Sequence, residues 1–65
     1  MATVEYIIGA DYITGKGWGT YAICVGTNLI KTDRIQCESI TEFKSRLRSI
    51  AKALNGNVEI LMEQN

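Results

Sequence analysis

Asp11 and Glu63 each close an apolar run: Asp11 follows Val4-Glu5-Tyr6-Ile7-Ile8-Gly9-Ala10, and Glu63 follows Val58-Glu59-Ile60-Leu61-Met62. Each acid stands where a strand should give way to a loop. If the two strands are parallel neighbours their C-terminal ends lie together, and the pair could hold a hard cation such as Mg²⁺ or Mn²⁺. Two close carboxylates repel each other unless a proton or cation intervenes, which makes a shared metal a natural reason for the pair. Such a metal activates water and stabilises a departing oxygen in phosphodiester cleavage. The plainer alternative is a pair of unrelated, solvated charges at strand ends.

Other chemistries are excluded or poorly supplied. The chain has no histidine, which rules out Ser-His-Asp and Cys-His nucleophilic catalysis. Cys24 and Cys37 alone make a poor zinc site. If Gly26-Thr27-Asn28 turns a hairpin, Cys24 pairs near Ile30 and Cys37 lies about seven residues further along the ladder. That separation exceeds about 20 Å, far outside disulfide reach, so both are expected as reduced thiols. Lys16 is the cation nearest Asp11 in sequence and could meet a phosphate approaching a metal there. Trp18, among glycines, could stack on a base; the competing expectation is that it caps the edge of a small core. Lys44, Arg48 and Lys52 could touch phosphates, but seven basic and seven acidic residues cancel, and an ordinary solvated helix face accounts for them.

The elements that must position these residues can be read in order. At 65 residues the chain is expected to be one small domain, 1–65, near the lower limit for an unsupported core. Its 46% apolar content is that of a globular protein. No apolar run reaches the roughly 18 residues that span a membrane, and no signal peptide opens the chain, so a cytoplasmic domain is expected. The near-continuous run Tyr6-Ile7-Ile8-Gly9-Ala10 predicts a first strand over Val4–Asp11, central in its sheet and covered on both faces. Thr20–Val25 predicts a second strand, and Leu29–Cys37 a third that returns as a solvated edge carrying Lys31, Asp33 and Arg34. Ser39 or Thr41 can cap a helix, with Glu42 three residues after Ser39 as in a capping box. Phe43, Leu47, Ile50, Ala51 and Leu54 share one face of that helix, and Lys44, Arg48 and Lys52 line the other. Asn55-Gly56 ends it. Val58–Met62 predicts a fourth strand, parallel to the first through the helical crossover. The predicted fold is α/β: β-β-β-α-β, a mixed sheet with one helix packed on it.

Ile7-Ile8-Gly9-Ala10-Asp11, a glycine-rich turn, Thr20-Tyr21-Ala22-Ile23, a helix, and Glu59-Ile60-Leu61-Met62-Glu63-Gln64 together resemble the N-terminal half of a RuvC-type Holliday-junction resolvase. That family belongs to the ribonuclease H-like superfamily. The resemblance implies a ribonuclease H-like partial fold and a Mg²⁺- or Mn²⁺-dependent endonuclease acting on branched DNA. Asp11 and Glu63 correspond to the first two catalytic, metal-binding carboxylates, and Gln64 to the residue after the second. Tyr12 and Ile13 stand where the family usually has a glycine two residues after its first aspartate, and the Thr14–Gly19 turn is longer than usual.

The family supplies further aspartates from a late helix, and nothing after Asn65 can do so, so a truncated domain, inactive alone, is expected. The same truncation would leave Val58–Met62 as an exposed sheet edge, through which a homodimer is expected to form. Two other readings fit the pattern less closely. One is a non-catalytic sheet-plus-helix module for interaction or DNA binding; the other is an actin- or sugar-kinase-like phosphate-binding fragment.

Overall fold

The computed structural model describes residues 3–64, Gln64 through its backbone alone. The element order is β1 (Glu5–Ile13), β2 (Trp18–Val25), β3 (Asn28–Gln36), α1 (Ile40–Ala53) and β4 (Asn57–Gln64). One four-stranded sheet runs in the order β3-β2-β1-β4, with β1 antiparallel to β2 and parallel to β4. The β-β-β-α-β order, the parallel pairing of the first and last strands, and the edge positions of β3 and β4 agree with the sequence reading. No helix among the described residues is long and apolar enough to cross a membrane.

Two layers make the core. The helix lies on one face of the sheet and buries Phe43 and Leu47 completely or nearly so, against Ile8, Tyr12, Tyr21 and Ile23. Complete burial of a side chain such as Phe43 contributes about 1.5–3 kcal/mol. Tyr12 packs its ring 5.4 Å from that of Phe43 and donates a long 3.5 Å hydrogen bond to the Cys37 carbonyl oxygen. Its bulk is therefore core, and strand geometry continues through Tyr12 and Ile13 instead of turning after Asp11.

The expectation that β1 is covered on both faces is corrected. Along β1, Ile8, Ala10 and Tyr12 are buried, whereas Ile7 and Gly9 are exposed and Asp11 half-buried. This is the period-2 alternation of a strand with one buried side. Among the described residues α1 is the only helix, and no second layer lies on the opposite face of the sheet.

Local chemistry fixes the connections. Gly26 takes φ +60° at the first position of a two-residue turn, Gly26-Thr27, as a type II′ hairpin requires. The predicted three-residue turn is thus one residue shorter. The ladder runs regularly from Trp18↔Gln36 to Ile23↔Lys31, then shifts so that Cys24 faces Leu29. Ile30 is the extra residue of this bulge, which reconciles the short turn with the longer register. Ser39 is the N-cap of α1, its Oγ accepting from the Glu42 N–H at 3.2 Å. The Glu42 carboxylate reaches back to the Glu38 N–H at 3.4 Å, one residue before the donor of an ideal capping box. Cys24 and Cys37 are both free thiols. Burial, followed by the Glu42 charge, pushes the Cys37 thiol above its ordinary value and keeps it protonated, with Arg46 partly opposing.

Candidate functional site

Asp11 and Glu63 are register partners on β1 and β4, next to each other near the C-terminal ends of two adjacent parallel strands. Neighbouring strands stand about 4.8 Å apart, so both carboxylates can reach one point above the sheet. Their parity fixes the face. Ala10 and Met62, each one residue earlier, belong to the core on the helix side, so Asp11 and Glu63 rise from the bare face.

The bare face is organised in rows that cross the strands. One row reads Glu63, Asp11, Thr20 and Arg34 from β4 to β3, and the next reads Leu61, Gly9, Ala22 and Thr32. The second is a shallow trough in its middle. A Cβ built on Gly9 meets nothing within 4 Å, so the space above this central strand is open. On its far side Ile7 and Leu29 add apolar surface, and Leu61 is 53% exposed at the β4 edge.

Trp18 is half-buried at the start of β2 and faces the open side with the Arg34 guanidinium 5.3 Å from its ring centroid. The expectation that Trp18 caps the core is therefore corrected, because the ring lies on the opposite side of the sheet from Phe43. The adjacent Gly19 supplies the reason: a side chain there would strike the Phe43 ring, so Gly19 takes the core position and Trp18 the open one. Sequence reading placed Arg34 on a solvated edge and did not pair it with Trp18. The signal was their parity relative to Gly19 and Ile35, which are register partners on the core side.

Lys16 is exposed in the Thr14–Gly17 turn, its N–H donating to the Ile13 carbonyl oxygen at 3.2 Å. It extends beyond the last β1–β2 pair, Ile13↔Trp18, and is not in the Asp11–Glu63 row. Lys44, Arg48 and Lys52 are exposed on α1, hence on the far side of the sheet from the two acids. Lys44 and Arg48 border a groove with Leu47, Ile60 and Met62 instead. No group of three or more His, Cys, Asp or Glu side chains that could hold a metal occurs among the described residues.

The two acids are hard oxygen donors and suit Mg²⁺ or Mn²⁺ in kind. Mg²⁺ commonly keeps several waters and is held through one or two carboxylates together with substrate phosphate. A pair is enough for that mode of binding and too few for a protein-only cage. In comparisons with known proteins, no family model matches this chain, and no curated protein or solved structure matches it significantly.

Proposed function

We propose that this chain is a RuvC-like, ribonuclease H-like partial fold whose Asp11 and Glu63 hold one Mg²⁺ or Mn²⁺ and engage branched DNA through it, without cleaving DNA unaided. The observation that carries the reading is the adjacency of the two carboxylates near the C-terminal ends of parallel strands, on the uncovered face. Charge supports a metal-dependent contact. Asp11, Glu59 and Glu63 all lie on the β1–β4 half of that face, so a phosphate approaching there is repelled until a divalent cation intervenes. Bound metal would supply the positive charge that offsets this repulsion. Asp11 and Glu63 would be its protein ligands, while Lys16 and the Trp18–Arg34 stack flank the approach as weaker nucleic-acid contacts. Two acids do not supply a two-metal centre, and no third ligand joins them among the described residues, so the pair would bind DNA without hydrolysing it.

Mn²⁺ titration followed by amide NMR tests this directly. Paramagnetic broadening is expected around Asp11 and Glu63, and Asp11→Asn or Glu63→Gln should weaken it by about ten-fold or more. Binding to a four-way DNA junction should need Mg²⁺ and be lost in the same variants. Broadening that is absent, or that survives both substitutions, rejects the metal site. Junction binding that is indifferent to Mg²⁺ rejects the metal-bridged contact.

A second reading, a non-catalytic sheet-plus-helix interaction module, is favoured by a different observation. The open face carries exposed Ile7, Leu29 and Leu61 around an unfilled trough. Under that reading both carboxylate variants would keep their partner.

A further inference from the structure

One row of the open face, Glu63, Asp11, Thr20 and Arg34, carries a charge arrangement that matches its own copy, whereas Glu5 and Glu59 of the same face meet no basic residue. The strands of this face bear one basic residue, Arg34, at the β3 end of the row that ends in Asp11 and Glu63 at the β4 side. A two-fold axis running along the strands, between two sheets packed face to face, reverses the strand order while keeping each row opposite its own copy. Arg34 then stands over Glu63 of the second copy, with Asp11 of that copy beside it over Thr20. The same operation sets Gly9 over Ala22, and Ile7 over Cys24. We infer that this face is the contact surface for a second copy of the chain, closed by two symmetry-related Arg34–Glu63 ion pairs.

Shape agrees with charge. Twisted sheets packed with their strands nearly aligned come closest near their centres and diverge at corners. Here the centre is flat, built from Gly9 and Ala22, whereas Leu29, Arg34, Glu59 and Glu63 stand toward the edges and corners. The Gly9 position points the same way. Glycine in the middle of a strand is unfavourable, and no atom of the chain itself requires it here. Its missing side chain leaves room for a closely approaching neighbour. Arg34 is also held ready, since its guanidinium rests over Trp18 rather than ranging freely.

The size suffices. Four strands about 4.8 Å apart and about 26 Å long present roughly 500 Å² of projected face per copy, or about 1,000 Å² for two, the lower bound of a specific interface. A surface of that size predicts a reversible dimer instead of a permanent one. This inference is independent of the metal reading and is tested without metal.

Sedimentation equilibrium of the full chain in EDTA should show a monomer–dimer equilibrium at high micromolar concentration. Arg34→Glu and Glu63→Arg should each raise the dissociation constant on the order of ten-fold or more, and the double exchange should restore dimerisation. Gly9→Val, at a position where an added Cβ meets nothing within 4 Å, should keep a folded circular-dichroism spectrum and lose the dimer. A strict monomer overturns the inference. So does a dimer indifferent to Arg34→Glu, which would move the contact elsewhere, such as the β4 edge. Failure of the double exchange to recover association also rejects it. Loss of Mn²⁺ binding alone leaves it standing.

Discussion

At Gly19 a methyl group would come within 2.7 Å of the Phe43 ring and 2.9 Å of the Asp11 carbonyl oxygen, closer than real side chains sit. The ring cannot retreat cheaply, because Phe43 is completely buried. Gly19→Ala should therefore destabilise the fold by about 1–3 kcal/mol, the usual cost of overpacking. Gly9 makes the internal comparison. It is also mid-strand, yet its missing side chain faces open space, so Gly9→Ala should be neutral or stabilising by about 0.5 kcal/mol. Urea unfolding at concentrations that keep the chain monomeric measures both. Equal losses at the two sites would contradict the assignment of one glycine to the core face and the other to the open face. The two positions also set the site: one lets helix and sheet close beneath Asp11, and the other leaves the trough beside it empty.

At the scale of elements, α1 rests on its N-cap and two buried side chains. Ser39 supplies one acceptor to an otherwise unpaired helix donor, the Glu42 N–H. Ser39→Ala should cost about 1 kcal/mol of unfolding free energy, and Ser39→Asp should recover most of it. A melt unchanged by Ser39→Ala would mean the cap is not formed in solution. The helix was legible in sequence because its apolar spacing and its cap agree, with Phe43 and Leu47 in the deepest positions. The parallel β1–β4 pairing was legible too, since a helix before the last strand permits a right-handed crossover. The one-sided burial of β1 was harder to see. Tyr6-Ile7-Ile8 reads as continuous apolar sequence, and the positions of Glu5, Gly9 and Asp11, on the parity of Ile7, separate the faces. The Trp18–Arg34 contact depends on the register between β2 and β3, with a bulge at Ile30 between turn and ladder. Local spacing does not carry that information. The juxtaposition of Asp11 with Glu63 was foreseen from strand ends, whereas their position on the face away from the Lys44–Arg48–Lys52 side of α1 follows only from where the helix packs.

As a whole the molecule is a two-layer structure in which, among the described residues, three large side chains, Phe43, Ile8 and Leu47, are completely or almost completely buried. A core of this size stabilises a fold only modestly, so a ligand or partner on the uncovered face has a large relative effect. The proposed metal and the inferred second copy use the same carboxylates. Arg34 of a second copy and a divalent cation cannot both neutralise Glu63, so the two binding events must oppose each other, each weakening the other by the same factor. Raising Mg²⁺ at constant ionic strength should therefore shift the sedimentation equilibrium toward monomer, by about ten-fold in the dissociation constant once the site is saturated. In Glu63→Gln the shift should vanish, because neither the metal nor Arg34 then finds its charge partner. If Mn²⁺ broadening maps to Asp11 and Glu63 while Mg²⁺ leaves the dimer untouched, the two surfaces do not overlap, and the face-to-face arrangement fails even though the metal pair survives.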